Sequence, residues 1–188
     1  MKNNQSLFHV RLNIAIITFL WCIPTLSTID PQIDNYNYQN DYQGMIALIK
    51  EEWPKLFLQP EYDCKIVNKM LLQNVPGNIA YQDKKLFIKV LRDEDKITGF
   101  ATYYYPNATI GHIELLAVNK FYRSRGLGKK LIEYVTAEVA RQGAKTLQLY
   151  VYTNNSHAIK FYTHLGFSVK SNYPGYILLS KPIKDQNQ

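Results

Sequence analysis

The sequence predicts an α/β domain in which a mixed central β-sheet is flanked by helices. Three observations support this class. Helical and strand-like hydrophobic periodicities follow one another in the order βααβββαβαββ, which neither an all-helical nor an all-strand chain would show. A length of 188 residues suits a single domain. A content of 46% apolar and 20% charged residues is typical of a globular chain rather than a disordered one.

The N-terminal half is predicted to contain one strand, two helices and then three strands. The first helix would be capped by Asp41 and ended by Pro54. In the second helix, apolar residues recur at every fourth position. The predicted ranges are 32–38 for the first strand, 41–53 and 61–72 for the helices, and 86–91, 97–105 and 109–118 for the three strands.

The C-terminal half begins with an amphipathic helix that opens at a glycine-containing loop and ends at Gly143. An alternating strand follows, with Leu147, Leu149 and Val151 on one face and Gln148, Tyr150 and Tyr152 on the other. A short helix and a closing hairpin complete the domain. The predicted ranges are 126–141 for the long helix, 147–152 for the strand, 156–165 for the short helix, and 167–171 and 176–179 for the hairpin.

Residues 1–28 combine a basic lead with an apolar run. Lys2 and Arg11 precede an apolar stretch that reaches residue 26, and no acidic residue occurs before Asp30. This pattern is typical of a signal peptide or signal anchor, although the run is shorter than the roughly 20 residues of a membrane span. A packed or disordered extension would explain the same residues. The sequence therefore predicts a segment 1–28 with membrane contact through 8–27, a domain 29–184 and a tail 185–188.

The charge balance points to an anionic ligand or partner. The net charge is +7 and the isoelectric point is about 9.2. Nucleic acid is not expected, because the positive charge concentrates at one loop. The chain has two cysteines, Cys22 and Cys64, and Cys22 lies in the N-terminal run, so a disulfide framework is not expected. The four histidines lack the spacing of metal ligands, and no metal is expected.

The loop that opens the long helix is the strongest functional signal. Its two glycines leave backbone N–H groups uncovered where the helix dipole contributes positive potential. Cationic side chains at a helix start oppose that dipole, and no acidic residue precedes Glu133 in this helix. A docked phosphate-rich ligand would explain the arrangement, and a solvated basic turn is the alternative. The loop reads Arg123, Ser124, Arg125, Gly126, Leu127, Gly128, Lys129 and Lys130.

Three motifs, in order and at matching separations, resemble those of the GNAT N-acetyltransferase superfamily. One is the loop pattern Arg123-x-x-Gly126-x-Gly128, and another is the end of the strand before it. The third lies on the short helix. The match extends from about residue 111 to 167, and the element order agrees from about 30 to 182. The strand ends in Leu116, Ala117 and Val118, and the third motif comprises Asn155, Ala158, Tyr162, Gly166 and Phe167.

The resemblance implies an N-acetyltransferase that takes acetyl-CoA as donor and an amine of a small molecule or protein as acceptor. It also implies the residues that bind the donor. Backbone groups of Leu116, Ala117 and Val118 would bind the pantetheine arm, and Asn155 would hydrogen-bond the donor. The phosphates would lie on the loop formed by Arg123, Ser124, Arg125, Gly126, Leu127, Gly128 and Lys129, with Lys130 within reach.

The resemblance also implies that Tyr162 is the general acid that protonates the departing sulfur. A tyrosine with a pKa of about 10 keeps its proton at pH 7 and can donate it. Glu114 is the candidate general base, since it lies on the strand that leads into the loop. By the period of two in a strand, its side chain should share a face with Leu116 and Val118. A packed tyrosine, a salt-bridged glutamate and an ordinary Asn155 N-cap are the alternative readings.

The acceptor is left open by the sequence. An aromatic-lined cleft and an ordinary core explain the same residues equally well: Trp53, Tyr62, Tyr103, Tyr104, Tyr105, Tyr173 and Tyr176. Acetyltransferases of ribosomal-protein N-termini tend to carry glutamate at the place of Tyr150, which disfavours that substrate. Protein N-terminal or lysine acetylation, and a non-catalytic acyl-CoA-binding module, are alternatives. Because acetyl-CoA is cytosolic, we expect a cytoplasmic or cytosol-facing, membrane-tethered domain, with export through a cleaved signal peptide as the alternative.

Overall fold

The computed structural model describes residues 31–56 and 63–184. The signal-like segment 1–28, the tail 185–188 and the predicted helix start at residue 61 lie outside the described residues. The observed element order is βααβββαβαββ, which confirms the prediction. The elements are β1 Gln32–Asn35, α1 Tyr38–Leu56, α2 Cys64–Gln73, β2 Phe87–Asp93, β3 Lys96–Asn107, β4 Ile110–Val118, α3 Leu127–Arg141, β5 Thr146–Tyr152, α4 Ser156–His164, β6 Ser168–Tyr173 and β7 Tyr176–Pro182.

The strands form a seven-stranded mixed sheet with the order β1-β2-β3-β4-β5-β7-β6. Neighbouring strands are antiparallel except for β4 and β5, which are parallel and joined through α3. Each face of the sheet has its own apolar core. One core lies beneath α3 and α4, and the other beneath α1 and α2. Within the described part of the chain, no helix has both the length and the apolar character that crossing a membrane requires.

Helix α1 starts earlier and ends later than predicted. Asn37 caps it by accepting a hydrogen bond from the Asn40 N–H at 3.3 Å. Asp41 lies in the first turn, and its Oδ2 accepts from the Asn37 N–H at 2.6 Å. Assigning the cap to Asp41 was therefore wrong, since both residues are good cap formers and the contacts favour Asn37. Pro54 lies in the last turn, where it does not prevent the helix from reaching Leu56.

Helix α2 starts one turn later than expected because Asp63 caps it. The Asp63 Oδ1 accepts from the N–H groups of Lys65 at 2.8 Å and Ile66 at 3.3 Å. The helix ends at Asn74, whose φ of 51° lies in the left-handed region that stops helices. The segment that follows contacts β4, since the Asn78 N–H donates to the Glu114 Oε1. An unpredicted 3₁₀ turn, Ile79–Tyr81, lies in this segment.

Helices α3 and α4 approach closely at Gly128, in the first turn of α3. A Cβ atom added there would lie 3.0 Å from the Phe161 Cζ on α4. A side chain at this position would therefore require the Phe161 ring to shift. The glycine of the loop motif thus allows close packing between the loop and the helix that carries Tyr162.

Arg92 joins α1 to the edge of the sheet by pairing with two carboxylates. Its guanidinium lies 2.7 Å from the Asp41 Oδ2 and 3.3 Å from the Asp34 Oδ2. The Asp41 side chain is 0% exposed, whereas that of Asp34 is 51% exposed. Buried ion pairs cost much when one partner is removed, while exposed pairs contribute little.

This contrast predicts different effects for alanine substitutions of the two carboxylates that pair with Arg92. Asp41→Ala removes the buried partner and the bond to the Asn37 N–H, and we expect a loss of about 2–4 kcal/mol of unfolding free energy. Asp34→Ala should change stability by no more than about 0.5 kcal/mol. Urea denaturation of both variants measures the difference. Equal losses would contradict the importance of the buried pair.

Candidate active site

The site is built around a gap between the two parallel strands. Pairing of β4 with β5 extends from Ile110↔Thr146 to Ile113↔Leu149 and ends there. Both strands continue, β4 to Val118 and β5 to Tyr152. Beyond Ile113, β4 remains paired on its other side with β3. The edge of β4 toward β5 therefore offers backbone N–H and C=O groups to a ligand, and the predicted residues Leu116, Ala117 and Val118 lie along it.

A β-bulge on β4 begins where this pairing ends. The register with β3 passes from Thr102↔Leu115 to Tyr103↔Ile113, so that Glu114 is the additional residue. The bulge interrupts the alternation of side chains. Ile113 packs in the core beneath α3 and α4, whereas Leu115 packs beneath α1 and α2.

The prediction that Glu114 shares a face with Leu116 and Val118 was wrong. Leu116 and Val118 pack in the core on the α3 and α4 side. Glu114 points to the other side, where its Oε1 accepts from the Asn78 N–H at 2.9 Å. A one-residue bulge places consecutive residues on the same side, which a strict period of two cannot anticipate.

The surroundings of the Glu114 carboxyl change its pKa and leave one of its oxygens without a partner among the described residues. Burial raises the pKa of its carboxyl from 4.5 to about 7, against the lowering effect of the Asn78 and Gly77 N–H groups. Its Oε2 is buried and has no hydrogen-bond partner among the described residues. A carboxylate with a pKa near the working pH and one unpartnered oxygen can accept a proton from an incoming group.

Tyr162 lies on the opposite side of the sheet. It is 8% exposed and belongs to the core beneath α3 and α4. Its ring centroid lies 5.1 Å from that of Phe161 and 5.6 Å from that of Phe167. Burial raises the pKa of its hydroxyl above the usual value, so that it retains its proton. The two candidate proton-transfer residues thus approach the sheet from different faces.

The loop before α3 has the backbone shape of an anion site. Ser124 and Gly126 have positive φ values of 62° and 77°, and Gly126 takes the N-cap position without a side-chain cap. A Cβ atom on Gly126 would meet no protein atom within 4 Å, so the space outside the loop is open. The first-turn N–H groups of Leu127, Gly128 and Lys129 have no acceptor within the helix and no acidic residue beside them in that turn.

The cations of the loop divide into two groups. The Arg123 Nε donates to the Val118 carbonyl at 2.9 Å, and its guanidinium pairs with the buried Glu52. The Lys130 Nζ donates to the Pro31 carbonyl at 2.7 Å. These two side chains therefore hold the fold together.

Arg125 and Lys129 are the exposed cations of the loop. Arg125 lies over the Tyr122 ring, with its Cζ 5.4 Å from the ring centroid. Lys129 lies 3.6 Å from the exposed carboxylate of Glu133. Contacts of this kind at the surface are weak and leave both side chains able to turn toward an anion.

Asn155 caps α4, as the alternative reading predicted. Its Oδ1 accepts from the Ala158 N–H at 3.1 Å. The cap uses the side-chain oxygen, while the amide nitrogen of the same side chain is a donor. A role at the helix start is therefore compatible with a contact to a ligand.

The aromatic residues predicted for the acceptor do not form one group. Trp53, Tyr103 and Tyr104 are buried in the two cores, and Tyr62 lies outside the described residues. Tyr105 packs against Phe87 on the α3 side. Tyr173 and Tyr176 stack on each other, with centroids 5.0 Å apart.

Sequence reasoning missed two features of the sheet face that carries Glu114. His112 is buried, with a pKa lowered to about 4 by desolvation, and its ring contacts Tyr104 and Tyr150. The Gly77 and Asn78 N–H groups reach Glu114 from a loop with no sequence signal beyond its glycine. Within residues 31–56 and 63–184, no three metal-ligating side chains come together.

Curated relatives align with parts of the chain. Mycothiol acetyltransferase of Corynebacterium glutamicum is 29% identical over 96 residues, which are 51% of this chain and 32% of that protein. The ribosomal protein bS18-alanine N-acetyltransferase of Escherichia coli is 38% identical over 61 residues, or 31% of this chain and 41% of that protein. The chain therefore matches less than half the length of either relative.

A solved structure shows the same fold over most of the chain. The PaiA N-acetyltransferase of Thermoplasma acidophilum, in complex with coenzyme A, superposes with a TM-score of 0.64 at 16% identity. The superposition covers 82% of this chain and 99% of that one. A sequence model of the acetyltransferase (GNAT) family matches residues 42–167, which are about two thirds of the sequence and include the bulge, the loop and α4. The chain belongs to the acetyltransferase (GNAT) family.

Proposed function

We propose that the protein is an N-acetyltransferase that moves an acetyl group from acetyl-CoA to a primary amine. The observation that carries the proposal is the opening between β4 and β5, with Glu114 on one face of the sheet and Tyr162 on the other. Family membership and the names of the relatives support it. The domain would span 29–184 and act where acetyl-CoA is available, in the cytoplasm or tethered on its side of a membrane through residues 8–27.

The donor would lie along the gap and the loop. Backbone groups of Leu116, Ala117 and Val118 would pair with the amide groups of its pantetheine arm, because this part of β4 is not paired with β5. The phosphates would accept from the loop N–H groups, assisted by Arg125 and Lys129. Asn155 would donate through its amide nitrogen. Among the motif residues, Arg123 would position the loop rather than contact the donor.

Acetyl-CoA supplies the acetyl group as an activated thioester. Glu114 would accept a proton from the amine, directly or through a water molecule, as the new N–C bond forms. Tyr162 would donate its proton to the sulfur as the C–S bond breaks, and would recover a proton from solvent. Because the two side chains lie on opposite faces of the sheet, the amine would enter from the face that carries Glu114.

One observation favours an enzyme over a module that binds acyl-CoA without turnover. Glu114 is partly buried, which raises the pKa of its carboxyl to about 7, and its buried Oε2 has no hydrogen-bond partner among the described residues. Binding of the donor alone would not require a carboxyl group with a pKa near 7, whereas proton transfer would use it.

Replacement of Tyr162 by phenylalanine tests the general acid. Tyr162→Phe removes the donated proton and should lower kcat about 100-fold, with little change in the affinity for acetyl-CoA. Tyr103→Phe is the matched control, since it removes a hydroxyl from another buried tyrosine of the same core. Steady-state acetylation of a broad amine panel measures both. Undiminished activity of Tyr162→Phe would exclude this residue as the acid.

The pKa of Glu114 predicts the pH dependence of the reaction. Because the carboxyl must be ionised to accept a proton, kcat/KM should fall as the pH drops through about 7. Glu114→Gln should lower kcat/KM about 100-fold at pH 8 and remove this limb, leaving only the rise due to deprotonation of the amine itself. If kcat/KM of Glu114→Gln still fell as the pH dropped through about 7, this pH dependence would belong to another group.

The raised pKa of Glu114 also predicts a pH dependence of the unfolding free energy. Its sign is opposite to that of the activity, because stability falls as the pH rises. A carboxyl whose pKa is raised on folding holds its proton more tightly in the native state, so its contribution to stability declines as the pH rises from about 4.5 to 7. The stability of Glu114→Gln relative to the natural protein should therefore increase by about 2–3 kcal/mol between pH 4.5 and pH 8.

Denaturant titrations at the two pH values measure this increase. Glu133→Gln, on the exposed side of α3, is the control and should show no comparable change. A constant difference between Glu114→Gln and the natural protein would mean that the Glu114 carboxyl is well solvated.

Two glycines at opposite ends of α3 test the phosphate loop. Gly126 and Gly143 have φ values of 77° and 89°, and a Cβ on either would meet no protein atom within 4 Å. Alanine at each position should therefore destabilise the fold by a similar amount, about 1 kcal/mol. Only Gly126→Ala should place a methyl group where phosphates would lie, and weaken CoA binding at least about tenfold. Calorimetric titration with CoA that gives equal affinities for the two variants would contradict this site.

A further inference from the structure

We propose that the acceptor of the reaction is an amine attached to an aromatic ring system, which lies against a wall of tyrosines that leads to Glu114. The proposal rests on the function proposed above, in which Glu114 takes the proton from the acceptor. It adds the chemical class of that acceptor and the residues that select it. The wall is formed by Tyr81, Tyr104, His112, Tyr150, Tyr173 and Tyr176.

The rings of the wall form one continuous chain. Ring centroids lie 5.1 Å apart from Tyr81 to Tyr104, 5.1 Å from Tyr104 to His112 and 5.2 Å from His112 to Tyr150. Tyr150 meets Tyr176 edge-on at 5.4 Å and Tyr173 at 6.1 Å. These spacings are those of favourable aromatic pairs. This series of rings extends from the loop after α2, over β3, β4 and β5, to the closing hairpin.

The wall lies on the face of the sheet where Glu114 emerges. The residues that alternate with Tyr150 on β5, Leu149 and Val151, pack on the opposite side beneath α3 and α4. Tyr104 packs beneath α1 and α2, and Tyr81 lies in the short turn capped by Asn78, whose N–H donates to the Glu114 Oε1 at 2.9 Å. The Glu114 carboxylate also raises the pKa of the Tyr104 hydroxyl. The inner end of the wall therefore lies beside the candidate base.

The outer end of the wall is open to solvent. Helices α1 and α2 cover β3 and β4 on this face, which buries Tyr104 to 1% exposure. Tyr150 and Tyr173 remain 45% and 41% exposed. A single exposed tyrosine has no special meaning, but Tyr150 and Tyr173 are neighbouring exposed rings next to the strand that carries Glu114, and together they offer a surface suited to a flat apolar group.

The electrostatics of the wall disfavour a polycation. After burial, the groups that raise the pKa of Tyr150 are the neighbouring tyrosines Tyr173, Tyr81 and Tyr176, and no carboxylate contributes. His112 is neutral, since burial lowers its pKa to about 4. Among the described residues named here, an acceptor with several ammonium groups would meet the carboxylate of Glu114 and otherwise neutral rings, whereas an acceptor with one amine on a ring would match the wall and the base together. The electron-rich ring faces also attract a single ammonium group.

Equilibrium binding to full-length Tyr162→Phe loaded with CoA tests the proposal without turnover. The probes are phenethylamine, n-butylamine and spermidine, and a short peptide with N-terminal phenylalanine shows whether the same ring and amine are accepted from a peptide. We expect phenethylamine to bind at least about tenfold more tightly than n-butylamine or spermidine. Equal affinity for the three amines would overturn the proposal.

Substitutions on the wall locate the binding. In the same background, Tyr150→Ala and Tyr173→Ala should each weaken phenethylamine binding at least about fivefold, with the affinities for CoA and n-butylamine unchanged, and Tyr150→Phe should retain binding because the ring remains. Tyr38→Ala is the matched control. Tyr38 is 42% exposed, and its ring centroid lies 5.0 Å from that of Tyr42 on α1. Binding that is indifferent to Tyr150→Ala would overturn the proposal even if phenethylamine were preferred.

Failure of this inference and failure of the proposed function give different results. If the natural protein acetylates amines with no preference for a ring and no dependence on Tyr150, the function holds and the aromatic acceptor is wrong. If phenethylamine binds at the wall and the natural protein forms no acetylated product, the site is supported and the transferase function is wrong.

Discussion

The site depends on one constraint, namely that β4 stops pairing with β5 at Ile113 and Leu149 while both strands continue. Backbone groups left without a partner in a protein interior are costly, so a strand edge of this kind needs another partner. The bulge at Glu114 lies at this point. The same extra residue ends the regular alternation and turns a carboxylate to the face where a substrate could reach it. The opening and the base therefore lie at the same backbone irregularity.

The surrounding packing holds the other functional groups against this opening. Arg123 ties the loop to the end of β4 through the Val118 carbonyl and to α1 through Glu52. Gly128 lets Phe161 of α4 approach the first turn of α3, which carries Tyr162 toward the same strands. The two glycines of the loop motif therefore have different roles. Gly126 supplies a positive φ and open space, while Gly128 supplies a close contact between helices.

The element order could be predicted because helices and strands impose different periods on apolar residues, and the loop because glycine and charge mark a helix start. The bulge could not be predicted in the same way. Ile113 and Leu115 are both apolar and two residues apart, as on one face of a regular strand, yet they pack in different cores. The start of α1 was misassigned for a similar reason, since Asn37 and Asp41 both have capping side chains and only their contacts distinguish them.

The partners of the carboxylates in this molecule distinguish structural from functional groups. Asp41 is neutralised by Arg92, and Glu52 by Arg123 and Lys55. Glu114 receives hydrogen bonds from backbone N–H groups and forms no ion pair in the described part of the chain. An unpartnered oxygen alone does not distinguish it, because the Asp41 Oδ1 is also buried there without a hydrogen bond. Among the described residues, the buried acids Asp41 and Glu52 are paired with cations, whereas Glu114 is left with a pKa near 7, which gives up stability at neutral pH at that position. Such a loss is typical of a group retained for reactivity, because a paired carboxylate would be a weaker base.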